Sequence, residues 1–185
     1  MFEQVLLDVA RAISVQVPIL IPGIFFILAI KKNWLAWSNK PIDFGTGLFG
    51  ENKNWRGAIF YIFGAILVTY PMHLLSLSQA WVAPVFQANW WLLGFSFGSA
   101  YVLGELVNSF IKRRIGIKPG AQPGSIVGKY LQAFFDNADG ALACGLVLTF
   151  GFNGEQSYLV IALFISLAIH ASTDIWMRKL KLKKK

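Results

Sequence analysis

Two acids, Asp136 and Asp139, stand three residues apart in the run FFDNADG, so on a helix they share one face. A third, Glu105, lies inside an apolar stretch, where a carboxylate is costly and points to function. From Glu105, the pair Asn108/Ser109 and then Lys112 recur at helical spacing, ending in the cationic run Lys112-Arg113-Arg114, with Lys118 following. A third cluster, Lys40 to Gly57, interleaves Gly45, Gly47 and Gly50 with Asp43, Glu51, Asn52, Lys53 and Arg56. Carboxylate oxygens suit Mg²⁺, which is commonly held by one or two carboxylates plus substrate phosphates. Arg grips a phosphate bidentately and Lys offers a point charge. Metal ligands beside phosphate-binding cations fit phosphoryl or nucleotidyl transfer. Each cluster also has a plainer reading. The acid pair would suit capping of a helix N-terminus, the glycine loop a solvated connector, and the basic run a stop-transfer anchor. The last explains the cations but not Glu105.

The elements that must position these residues are membrane spans. Of 185 residues, 56% are hydrophobic and only 14% charged, against about 25% charged in soluble domains. Five stretches are long or apolar enough to cross a bilayer: about 13–30, 57–76, 90–110, 136–152 and 158–176. The charge is lopsided, with 17 Lys+Arg against 9 Asp+Glu and a net +8. Such an excess suggests nucleic acid until its placement is examined. Apart from Arg11, every basic residue falls in the loops 31–56 and 111–136 or in the tail from Arg178 to Lys185. These are alternate segments, as the positive-inside rule requires. The reading is an all-α polytopic membrane protein of about five transmembrane helices, N-terminus out and C-terminus in, forming one domain over 1–185. All three clusters then face the cytoplasm from the cell membrane. The lipid bilayer is the partner of the basic rims, and no nucleic acid is called for.

Other residues read structurally. Cys144 is a small packing residue, and Gly94/Gly98 form a GxxxG suited to helix packing within the bundle. Pro18 and Pro22 bend the first span, and the Trp81–Trp91 region is an external interfacial segment. His170 and Asp174, four apart on the fifth span, are placed to pair with each other or to bind a metal, and are read as making a structural hydrogen bond between helices instead; His73 is a lone interhelical or interfacial residue.

In this order the clusters resemble the CDP-archaeol synthase family, the membrane CTP:lipid-phosphate cytidylyltransferases related to CDP-diacylglycerol synthases. The first motif is Pro41-Ile42-Asp43-Phe44-Gly45 followed by Asn52-Lys53-Asn54-Trp55-Arg56-Gly57. The second runs from Gly104 through Gly120, and the third is Asp136 and Asp139 before a glycine/alanine-rich span. Glu105 departs from the family pattern by standing where an Asp is expected, and the stretch from Gly120 to Asp136 is longer than the usual connector.

The resemblance implies that CTP and a phosphorylated membrane lipid react to give a CDP-lipid and pyrophosphate. The acceptor is ether-linked or diacyl. Glu105, Asp136 and Asp139 would hold Mg²⁺, and these three with Lys112 would be the catalytic set. Lys53, Arg56, Arg113, Arg114 and Lys118 would contact CTP or phosphate, and Asp43, Asn52 and Ser109 would do so directly or through a neighbour. The rival expectations are an inactive homologue binding anionic lipid, which has no use for the acid trio, and a small transporter built on Glu105. Homo-oligomerisation is left open.

Overall fold

The computed structural model describes residues 1–179, with side chains described through Thr173. The lysine-rich end of the tail and the side chain of Asp174 lie outside the described residues. Six helices follow one another: α1 (Phe2–Ser14), α2 (Val17–Lys32), α3 (Trp55–Ser76), α4 (Trp90–Arg114), α5 (Ile126–Leu146) and α6 (Gln156–Lys179). Short 3₁₀ turns lie at Ala36–Ser38 and Pro84–Gln87, and a π-helical turn at Val147–Gly151 extends α5. The described residues contain no β-strand. Among the described residues, five helical segments are long and apolar enough to cross a membrane, α1 and α2 counting together as one.

Local chemistry sets the boundaries. Pro18, which has no N–H to leave unpaired, sits in the first turn of α2. Asn33 closes the same helix in the left-handed conformation (φ 54°). Helices α3, α4 and α5 start from side-chain caps: Asn54 accepts from Gly57 N at 2.9 Å, Asn89 from Leu92 N at 3.3 Å, and Ser125 from Gly128 N at 3.0 Å. The Ser125 cap corrects a sequence expectation. Helix α5 begins at Ile126, not near Asp136, because residues 126–135 form an amphipathic helix that their polar residues disguised as connector. The acid pair therefore lies in mid-helix, which removes N-terminal capping as its role. The stretch between α4 and α5 shrinks to residues 115–125.

The helices pack through small residues. A Cβ on Gly94 would stand 2.6 Å from Ile66 Cα, and one on Gly98 2.6 Å from Tyr61 O. The GxxxG thus joins α4 to α3 inside the bundle, where glycine alone permits the approach. Pro22 of α2 is buried against Gly64 of α3 in the same manner.

Helix α1 is amphipathic, but it turns its polar side inward. Asp8 and Ser14 are buried, while Phe2, Leu6 and Ile13 are exposed. Its polar side is stitched to the bundle end away from the basic loops. Arg11 Nε donates to Ala80 O at 3.3 Å, Ser14 Oγ accepts from Ala83 N at 3.0 Å, and Arg11 pairs with Glu155 at 3.7 Å. The Trp81–Trp91 segment, expected to be interfacial, is only partly exposed. Trp81 and Trp91 are exposed, but Val85 and Phe86 are buried, and His73 Nδ1 donates to Phe86 O at 2.7 Å.

Candidate active site at the basic end of the bundle

Helices α4 and α5 touch where the acids sit, and two glycines make that contact. A Cβ on Gly104 would come within 2.5 Å of Asp139 O, and one on Gly140 within 2.6 Å of the Tyr101 ring. With the backbones this close, the α4 face Glu105–Asn108–Lys112 meets the α5 face Asp136–Asp139. Asn108 Nδ2 bridges the two acids, donating to Asp136 Oδ1 and Asp139 Oδ2 at 2.8 Å each. Lys112 Nζ lies 2.5 Å from Asp136 Oδ1. Gly140 N donates to Asp139 Oδ1 at 2.6 Å. From the loop before α3, Lys53 Nζ reaches Glu105 Oε2 at 2.5 Å. Burial alone would lower the Lys53 pKa, but Glu105, followed by Asp139 and Asp136, outweighs it and holds the ammonium above its ordinary value. One cation thus feels all three acids.

The glycine loop is fixed by its own polar residues. Ile42 N donates to Lys53 O at 2.9 Å and Trp55 N to Lys40 O at 3.1 Å, so the loop closes at its neck. Asp43 is buried and accepts from Gly45 N at 3.1 Å and Phe49 N at 3.0 Å. The Phe49 N–H, with other loop amides, outweighs burial and keeps its carboxyl below the usual range. Arg113 then staples the loop to the end of α4, its Nε donating to Phe49 O at 3.3 Å and its Nη1 to Ile117 O. Asp43 and Arg113, which the sequence offers as ligand contacts, spend these groups on backbone.

The remaining sequence candidates are dispersed. Arg114 is exposed, its guanidinium over the Phe110 ring at 5.0 Å. With Lys118, Gly47, Arg113 and Gly116 it lines an open cationic recess of about 430 Å³. Asn52 is exposed and Ser109 buried on α4. Arg56 is 6% exposed, and its Nε and Nη1 have no hydrogen-bond partner. A buried guanidinium in that condition is costly unless an anion completes it. Asn108 is the residue whose importance spacing alone understated. It sits three residues after Glu105, and only packing shows it holding both α5 acids.

Among the described residues no three His, Cys, Asp or Glu side chains are grouped to hold one ion. The three-acid ligand set expected from the sequence is therefore not drawn together, because Lys53 engages Glu105. Asp136 and Asp139, bridged by one amide, retain hard oxygens of the kind Mg²⁺ takes when substrate phosphates supply the rest.

Comparison with known proteins agrees with the motifs. A CDP-archaeol synthase from Sulfolobus acidocaldarius is 26% identical over 179 residues, covering 91% of this chain and 98% of its own. One from Staphylothermus marinus is 28% identical over 161 residues, covering 85% and 76%. One from Pyrobaculum aerophilum is 30% identical over 167 residues, covering 84% and 87%. No solved structure matches. A family model described as CarS-like, CDP-archaeol synthase, matches residues 9–185, and with the site motifs all inside that span the chain belongs to the CDP-archaeol synthase family.

Proposed function

We propose that this chain is a CTP-dependent cytidylyltransferase that joins CMP from CTP to a phosphorylated membrane lipid, releasing pyrophosphate. The observation that carries the reading is the bridge Asp136–Asn108–Asp139 with lysines on both sides, set into helices long enough to span a bilayer. Family membership supports the nucleotide and the lipid. The basic loops face the cytoplasm in this reading, which puts the N-terminus outside and gives the site access to cytosolic CTP.

A Mg²⁺ ion held by Asp136 and Asp139 would neutralise charge on the triphosphate. Everything else falls to the chain's own groups. A lipid phosphate is already an anion and requires no general base. Its oxygen forms the new bond to the α-phosphorus of CTP, while the bond from that phosphorus to the bridging oxygen breaks and pyrophosphate leaves. Lys53 and Lys112 exchange their carboxylate partners for phosphate oxygens and hold the reactants in line. Arg56 supplies two unspent donor nitrogens, Nε and Nη1, for the triphosphate. Lys118 and Arg114 line a cationic approach to the loop.

The test is incubation of the purified full chain with labelled CTP, Mg²⁺ and either an ether-linked isoprenoid lipid phosphate or phosphatidic acid. A labelled CDP-lipid with stoichiometric pyrophosphate is the expected outcome, abolished by chelation. If the folded protein neither binds CTP nor makes product with either lipid, the reading fails and a lipid-binding module takes its place.

A further inference from the structure

Residues 115–125, which join α4 to α5, carry Lys118 on a tight turn. Ala121 N donates to Lys118 O at 3.0 Å, with Pro119 and Gly120 at the corner and Gly120 at a φ of +75°. Proline first and glycine second is what a turn with a positive φ at its third residue requires. The upstream side of the turn is anchored to α4: Ile117 N donates to Lys112 O at 2.9 Å, and Arg113 Nη1 donates to Ile117 O. Pro119 rests on the glycine loop, where a Cβ on Gly50 would stand 3.0 Å from its Cγ. Turn and loop thus meet, and Lys118, Pro119 and Gly47 line one recess.

The downstream side has a single tie. Among the described residues, one hydrogen bond joins residues 119–124 to a helix: Gln132 Nε2 of α5 donates to Ala121 O at 3.3 Å. The same nitrogen donates to Asp136 Oδ2, one helical turn on, at 3.4 Å. Asp136 commits its other oxygen, Oδ1, to Asn108 and Lys112. An amide nitrogen carries two N–H groups and can serve two acceptors at once. Gln132 Oε1 is buried and has no hydrogen-bond partner among the described residues. A buried acceptor left unpaired is costly. The reverse orientation would set Oε1 against two other oxygens, so the donor end is what this position uses.

We propose that Gln132 is a positioning residue for the triphosphate. By tying Ala121 O to Asp136, it holds the turn that carries Lys118 in register with the acid bridge, so that lysine and bridge engage one triphosphate. This rests on the cytidylyltransferase reading for the identity of the ligand. Gln132 itself touches no reactant, and its effect passes through Lys118. The lipid phosphate and the in-line geometry, which fall to Lys53 and Lys112, do not depend on it.

The experiment uses the full chain in lipid nanodiscs. Gln132→Leu keeps the bulk of the side chain and removes the donor. In hydrogen exchange without nucleotide, the Ala121 amide should exchange about tenfold faster in this variant, while the helical amides of α4 and α5 keep their rates. With CTP, Mg²⁺ and lipid phosphate, the KM for CTP should rise about tenfold, and kcat and the KM for lipid should stay within about twofold. Lys118→Met should raise the KM for CTP by a similar factor. Adding Gln132→Leu to it should cost less than about twofold more, because both act through one lysine. Gln132→Glu, which offers an acceptor where a donor is needed, should behave as Gln132→Leu does, and thermal unfolding checks that each variant folds. The proposal is overturned if the Ala121 amide exchanges as in wild type, if the two losses multiply, or if kcat falls while KM holds. Exchange needs no turnover. Faster exchange in a chain that makes no CDP-lipid would sink the activity and keep the tie, and product without a change in exchange would do the reverse.

Discussion

Polar side chains occur at both ends of this bundle, but they are spent differently. At the end formed by α1 and the loops before α4 and α6, they mostly bond to backbone. Arg11 reaches Ala80 O, Ser14 receives Ala83 N, His73 reaches Phe86 O and Gln87 reaches Ser76 O. Backbone partners cannot be traded without unfolding the loop that carries them, so this end is architecture. At the basic end the contacts run between side chains: Lys53 with Glu105, Lys112 with Asp136, and Asn108 with both Asp136 and Asp139. Arg56 is buried with two nitrogens unpaired. Side-chain ion pairs can be exchanged for a ligand's charges without moving a helix. The comparison separates polarity that holds the fold together from polarity that waits for an anion.

The strongest way to break that comparison is to remove charge from the bridge. Asp139→Asn keeps shape and most hydrogen bonding, so the bundle should fold as before, while turnover falls by about a thousandfold or more, as when an electrostatic clamp on a transferring phosphoryl group is lost. Pyrophosphate release with CTP and lipid phosphate, beside thermal unfolding in detergent, reads both quantities. A mutant that kept a tenth of its activity would show that the bridge is architecture after all.

Next comes the Lys53–Glu105 pair. Lys53→Met should lower turnover about a hundredfold and destabilise the protein, because Glu105 is left as an unpaired carboxylate among helices. Glu105→Gln alone should do less. The double variant should be more stable than Lys53→Met while remaining as inactive, since the fold's need for Lys53 disappears with Glu105 and the substrate's does not. Equal stability of the single and double variants would deny the pairing.

A smaller effect is expected at Asp43, which belongs to architecture although it lies at the basic end. Asp43→Asn should raise the KM for CTP by about tenfold with little change in kcat, because the loop that carries Lys53 loosens without losing a reacting group. The sign with pH follows from its lowered pKa. Its stabilising contribution is present above the unfolded value near 3.8 and is lost as pH falls through the depressed folded one. Wild type and variant should therefore converge in acid unfolding, and a gap that widened in acid would refute the assignment.

How far these roles are legible in the sequence depends on what decides them. The i,i+3 spacing of Asp136 and Asp139, and the recurrence of Glu105, Asn108 and Lys112, put each set on one face of its own helix, because helical period is a local property, while the meeting of the two faces is seen only in the packing. Asp43 and Arg113 were ambiguous for the opposite reason. A carboxylate and a guanidinium in a glycine loop look alike whether they wait for a ligand or grip the backbone, and only the closed loop shows them bonded to Phe49 and its neighbours. The start of α5 was hidden because Lys129 and Gln132 interrupt its apolar run in sequence, although Ser125 three residues before Gly128 was a readable cap.

The smallest effect is expected at the far end, and it is the control for all the others. Arg11 and Glu155 stand 3.7 Å apart with Glu155 half exposed, so their attraction is screened. Arg11 also donates to Ala80 O, which adds a bond to a loop rather than to a substrate. Arg11→Ala should cost about 1 kcal/mol of stability, the range of one ordinary hydrogen bond or exposed ion pair. Turnover, KM for CTP and KM for lipid should all stay within about twofold. Raising the salt to 0.5 M should shrink the stability difference between Arg11→Ala and wild type, because the ion pair is screened over less than about 10 Å. A loss of turnover comparable to that of Lys53→Met would mean that the two ends are coupled through the bundle, and the division between holding polarity and waiting polarity would have to be abandoned.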